Sequence, residues 1–143
     1  MTKEQLREYR ALRKEIALLD SRIRTLEEKM YNVPTVMGKV TGSSKDHPYI
    51  PVHMVVEMDE PQVSARIKAL IWLKKQRRAS SAKAILEIEE FIAAIPKAET
   101  RIIFEMVYQD GISHEKVGEA VGIERSSVTK KINDYLKLSH NSQ

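Results

Sequence analysis

The chain has 143 residues, with 24 Lys and Arg against 20 Asp and Glu and 42% hydrophobic residues, enough for one domain or two small helical units. It has no cysteine, which excludes disulfides and thiolate metal sites and fits a reducing cytoplasm. The charged start Met1-Thr-Lys-Glu-Gln-Leu-Arg-Glu8 does not read as a signal peptide. The longest apolar run, Ala69 to Leu73, is far short of the roughly 20 residues of a membrane span, so a soluble, cytoplasmic protein without a membrane partner is expected.

Residues 3–30 contain neither Gly nor Pro. Tyr9, Ile16, Ile23 and Met30 fall at a and Leu12, Leu19 and Leu26 at d of a heptad seam, and Ile at a with Leu at d suits a parallel two-stranded coil. In such a homodimer Glu8 would meet Arg13 and Arg22 would meet Glu27, both attractive, whereas Glu15 would meet Asp20, which is repulsive. Leu12, Ile16, Leu19, Ile23 and Leu26 are therefore the expected oligomerisation residues. The same seam suits packing on another helix of the same chain, and the sequence leaves both arrangements open.

The helical pattern stops at Tyr31-Asn-Val-Pro34. Val52, Met54, Val56 and Met58 then alternate with His53, Val55 and Glu57, a period of two. Val36, Gly38 and Val40 suit the opposite strand, with turn formers between them. A short β-hairpin or extended arm is expected over 35–58.

Asp59-Glu-Pro61 reads as a helix start, and no Gly or Pro follows until Pro96. Arg77-Arg-Ala-Ser-Ser81 interrupts the apolar stripe, as a kink or as a boundary with Ser80 or Ser81 capping a second helix. Arg66, Lys68, Lys74, Lys75, Arg77, Arg78 and Lys83 form a run without acids, either a second phosphate-contacting surface or a solvated face. Trp72 within it reads as a core anchor; base stacking and a subunit contact are the other roles that suit it.

The last segment carries the strongest signal. Ala98–Gln109 reads as a helix with Ile102, Ile103, Met106 and Val107 inward, broken at Asp110-Gly111. Ser113 caps a short helix ending at Val121, Gly122 allows a left-handed turn, and a final helix runs from about Glu124 to Leu138. Gly118 suits a close helix crossing, Ile123 plugs the turn, and Val128 and Ile132 anchor the last helix. A short helix, a tight turn and a second, groove-sized helix make a helix-turn-helix. Arg125, Ser126, Ser127, Thr129 and Asn133 are of the types that read base edges, while Lys130, Lys131 and Lys137 suit phosphates. Glu124 and Asp134 put negative charge on the same helix, and Lys131 stands where an apolar residue is usual.

Arg101-Ile-Ile-Phe-Glu-Met-Val-Tyr-Gln-Asp-Gly111, Ser113-His-Glu-Lys-Val-Gly-Glu-Ala-Val-Gly-Ile123 and Ser127-Val-Thr-Lys-Lys-Ile132 together resemble region 4 of sigma factors. Val40-Thr-Gly-Ser-Ser-Lys-Asp-His-Pro-Tyr49 resembles an element lying between a coiled helix and a sigma-like C-terminus in phage-encoded regulators of the RinA and ArpU type. The resemblance covers most of the chain in order. It implies control of phage or prophage genes with the Arg125–Lys131 helix at the DNA, and it makes RNA polymerase a partner to consider, with no promoter sequence or polymerase contact carried over.

His47, His53, His114 and His140 have no helical i, i+4 partner among themselves, so no metal site is expected. No phosphate-binding Gly-rich loop or catalytic constellation is present, so neither a cofactor nor an enzyme is expected. The Gly42–Tyr49 loop reads equally as a functional arm or a connector. The expected protein is mainly α: an N-terminal helical and oligomerisation region at 1–96 and a helix-turn-helix domain at 97–143. It would bind double-stranded DNA sequence-specifically as a homodimer and regulate transcription. A ring-forming DNA-packaging protein like a small terminase subunit, or an adaptor using a sigma-like fold, are the alternatives.

Overall fold

The computed structural model describes residues 1–32 and 50–141, with side chains described for 1–32 and 61–141. The described chain is mainly helical: α1 (Lys3–Tyr31), α2 (Ile50–Ala93), α3 (Ala98–Phe104) continued by a π-helical turn (Glu105–Gln109), α4 (His114–Val121) and α5 (Arg125–Asn141). Among the described residues no helix is long and apolar enough to cross a membrane.

Helix α1 begins with a reciprocal cap. The Gln5 amide donates to Thr2 Oγ1 at 3.2 Å, and Gln5 Oε1 accepts from the Thr2 amide at 2.8 Å, which satisfies two donors that the first turn leaves free.

Helix α2 departs from the sequence expectation in two places. It starts at Ile50, not at Asp59, so residues 50–58 are helical where an extended arm was expected. Val52, Val55, Val56 and Asp59 also recur at steps of three and four, and Pro51 sits in the first turn, where a missing N–H costs no bond. The remainder of the expected arm, with the Gly42–Tyr49 loop, lies outside the described residues. Pro61 lies inside the helix, where it cannot donate to the carbonyl of Glu57. Secondly, α2 runs unbroken through Arg77–Ser81. Ser81 caps nothing; it is buried at 3% exposure and donates its hydroxyl to Glu15 Oε1.

By compactness the chain forms two units, Met1–Ile16 with Ser80–Gln143, and Ala17–Ala79. This division differs from a boundary at 96/97 because the C-terminal core draws on both ends of the chain. Leu6 and Tyr9 of α1 and Ile88, Ile92 and Ile95 are buried in one cluster with Ile103, Phe104, Tyr108, Val117, Val128, Ile132 and Leu136. Phe104 lies edge-on to Tyr135 at 5.5 Å between centroids and tilted against Tyr108 at 5.6 Å, geometries in which the positive edge of one ring meets the negative face of another. The inward face of α3 and its π turn is Thr100, Ile103, Phe104 and Tyr108, whereas Ile102 is 46% exposed. Of the expected inward set, Ile103 is buried and Met106 and Val107 pack half-buried against the core, and only Ile102 turns outward. At the rim of this unit the Tyr9 hydroxyl donates to Glu89 Oε1 at 2.8 Å and accepts from Arg13 Nη1 at 3.0 Å.

In the other unit Leu19 and Ile23 of α1 and Ile67 of α2 are buried, and Arg78 makes a forked contact to Asp20 through Nε and Nη2. Trp72 is 61% exposed and is not a core anchor.

The heptad seam is thus occupied within the single chain. Leu19 and Ile23 are buried and Leu12, Ile16 and Leu26 half-buried. Glu15 and Asp20, the two acids that a parallel dimer would oppose, are partnered by Ser81 and Arg78 of the same chain. Packing on another helix of the same chain is one of the two arrangements that the sequence leaves open for this seam.

Candidate functional site

The turn between α4 and α5 is set by two glycines with different reasons for being glycine. Gly122 has φ 83° and open space around it, so the left-handed backbone alone demands it. Gly118 is an ordinary helical residue, but a Cβ there would lie 2.6 Å from the Ile123 carbonyl oxygen. Its lack of a side chain lets the backbone after the turn fold tightly over α4. At the other end of α4, Ser113 is the N-cap and accepts from the Lys116 amide at 3.3 Å. Before it, Ile112 donates to the Met106 carbonyl at 2.9 Å, and Gly111 turns with φ 71° beneath the Arg10 guanidinium, which fills the place of any Cβ.

Helix α5 buries Val128, Ile132 and Leu136, a row at steps of four that fixes which residues face out. The eight residues expected at a DNA surface fall into three groups. Arg125, Ser126, Lys130 and Lys137 are exposed. Thr129 and Asn133 are half-buried on the flank toward α1. Ser127 and Lys131 are half-buried, and Lys131 Nζ lies 3.2 Å from Glu99 Oε1. The structure therefore leaves the first group open to solvent and commits Lys131 to a carboxylate.

A cleft of about 310 Å³ opens beside Thr129 and Asn133. Its far wall is Lys3, Arg7 and Arg10 of α1, spaced four and three apart on one helix face, and His114 lines it from the first turn of α4. His114 Nδ1 lies 2.8 Å from Thr129 Oγ1, while the Thr129 hydroxyl donates to the Arg125 carbonyl at 3.3 Å. With that single hydroxyl proton engaged, His114 donates through Nδ1–H. Burial pushes the His114 imidazole below its ordinary pKa, and the charges of Arg125, Lys3 and Arg7 push it the same way. No carboxylate lines the cleft. Among the described residues, none of Lys3, Arg7, Arg10, Arg125, Lys130 and Lys137 has a carboxylate oxygen within 4.0 Å.

Lys3, Arg7, Arg10 and His114 were not singled out in the sequence. The cationic spacing on α1 was visible there, but only the fold puts that face beside α5. Of the other sequence candidates, Arg66, Lys68, Lys75, Arg77 and Lys83 are exposed and Arg78 is paired with Asp20. Among the described residues no group of three or more His, Asp or Glu is placed to hold a metal ion. Compared with family models, curated proteins and solved structures, the chain gives no significant match.

Proposed function

We propose that this chain is a sequence-specific double-stranded-DNA-binding transcriptional regulator of phage or prophage genes, in which α4, the Gly122 turn and α5 act as a sigma-like helix-turn-helix. The observation that carries this reading is the open face of α5. Arg125, Ser126 and Lys130 stand exposed directly after a tight glycine turn, and among the described residues no carboxylate oxygen lies within 4.0 Å of either cation. Arg reads guanine through two parallel N–H bonds, Ser contacts bases or phosphates, and unpaired Lys supplies salt-dependent phosphate affinity. Lys131, tied to Glu99, contributes least of the set.

The regulator acts in this reading as a dimer on a two-part site, which places two such helices one DNA turn apart. Leu19 and Ile23 of the α1 seam are buried within the chain and Leu12, Ile16 and Leu26 half-buried, which favours a second copy docking on another surface. RNA polymerase is the protein partner that a sigma-like C-terminus would bring. Light scattering tests the assembly: a dimer supports the reading, and a larger ring points to DNA packaging.

The DNA test is anisotropy of a labelled duplex, random and then site-selected, at two salt concentrations. Binding should fall steeply with salt. Arg125→Ala should cost roughly 1–3 kcal/mol more on the selected site than on random DNA. Equal losses on both would remove the base-reading role of Arg125, and absence of binding at low salt would overturn the DNA reading.

A further inference from the structure

We infer that the cleft bounded by Lys3, Arg7, His114 and Asn133 takes a backbone phosphate of duplex DNA, so that α1 forms one wall of the DNA surface. This rests on the reading of α5 as the groove-entering helix and assigns a further contact to it.

A helix lying in the major groove, about 12 Å wide, has a phosphate strand along each side. The strand on the Thr129–Asn133 side of α5 meets α1, because those two residues and the α1 cations line the same cleft. Lys3, Arg7 and Arg10 share one face of α1, so their charges converge on one place. The cleft lining contains no Asp or Glu, and no ion pair involves any of the three among the described residues; Glu4 lines the adjoining recess with Lys3 and Asn133. On the other flank of α5 the recess holds Lys97 and Lys131 but also Asp134, and Lys131 is paired with Glu99, whereas the cleft on the α1 side is lined by Lys3, Arg7 and Arg10 with no acid. The neutral donors suit a phosphate as well. The Asn133 amide lines the cleft, and the first turn of α4 opens into it at Ser113 and His114. A stripe of cations that served only to keep the surface solvated would not border a recess free of acids beside Arg125.

Arg10 is packed over Gly111, so Lys3 and Arg7 are the side chains to change. Duplex binding is measured by anisotropy across a salt series for the full chain, Lys3→Gln/Arg7→Gln, Lys3→Arg/Arg7→Lys, and the charge control Arg22→Gln/Lys29→Gln, two exposed cations. Each lost phosphate contact should lower the slope of log K against log salt by about 0.9. The Gln pair removes the contacts to that one phosphate and should therefore lose about 0.9 in slope, equally on random and selected DNA, while the charge-keeping pair and the charge control retain the full slope. Circular dichroism melts check folding, and Arg7→Gln alone, with a smaller loss in the same direction, serves if the pair does not fold. An unchanged slope in the Gln pair, with Arg125→Ala/Lys130→Ala still weakening binding, overturns the α1 contact and leaves the DNA reading standing. An equal drop in the charge control assigns the effect to net charge and also overturns it. A full chain that binds no duplex at low salt removes both.

Discussion

At the scale of single residues the two turn glycines make opposite demands. Gly118→Ala forces a methyl to 2.6 Å from a backbone oxygen, which has no rotamer by which to move aside. A cost of about 1–3 kcal/mol is expected in denaturant unfolding, the usual range for overpacking. At Gly122 the space is open and only φ is at stake. Gly122→Ala should cost about 1–2 kcal/mol, and Gly122→Asn less, since Asn tolerates the left-handed region. His114 gives a pH signature. Its folded-state pKa is lowered, first by burial and then by Arg125, Lys3 and Arg7. The unfolded chain therefore takes up a proton near the ordinary value of 6.5 while the folded chain does not, so stability falls as pH drops below that value. His114→Gln should lack this loss, and denaturant unfolding at neutral and mildly acidic pH in the two proteins checks it.

At the scale of helices the assignment of the α1 seam can be read from concentration dependence. Leu19→Ala and Ile23→Ala each delete a side chain that is at most 7% exposed, and a loss of about 2–5 kcal/mol is expected for each. Packing within one chain makes the melting temperature independent of protein concentration, whereas a coil between chains would make it rise with concentration. Ser81→Ala should cost about 1 kcal/mol, because Glu15 loses its hydroxyl donor. How far the sequence was legible follows from the same elements. The α1 helix, the Ser113 cap, the Gly122 turn and the Val128–Ile132 row of α5 were readable, because each depends on local chemistry or helical period. The repulsive Glu15–Asp20 pairing was a readable sign against a parallel dimer, but its resolution needed Ser81 and Arg78, more than fifty residues away. The start of α2 was misread because valines and methionines at alternate positions fit a strand while also meeting a helical spacing. The cationic wall beside α5 was hidden for a different reason: Lys3, Arg7 and Arg10 acquire meaning only from what the fold sets opposite them.

At the scale of the whole chain, the C-terminal helices do not carry their own core. Leu6, Tyr9, Ile88, Ile92 and Ile95 fill it from outside residues 97–143, and each fully buried aliphatic or aromatic side chain is worth roughly 1.5–3 kcal/mol. A fragment of residues 97–143 should therefore show little cooperative melting by circular dichroism, in contrast to the full chain. A cooperative melt of the fragment would mean that α3 to α5 repack without these partners. Any DNA-binding assay on the fragment would then report on a different surface from that of the full protein.

The joining of residues 1–16 to 80–143 in one unit also dictates an order of events during synthesis. Residues 17–79 leave the ribosome while Leu6 and Tyr9 still await Ile103, Phe104 and Val128, which are translated last. Domains fold as their residues emerge, yet this unit closes only across the longest separations in the chain, and such contacts form slowly. The surface beside α5 is therefore among the last features of the nascent protein to exist, and the leading apolar residues of α1 stay uncovered until it does.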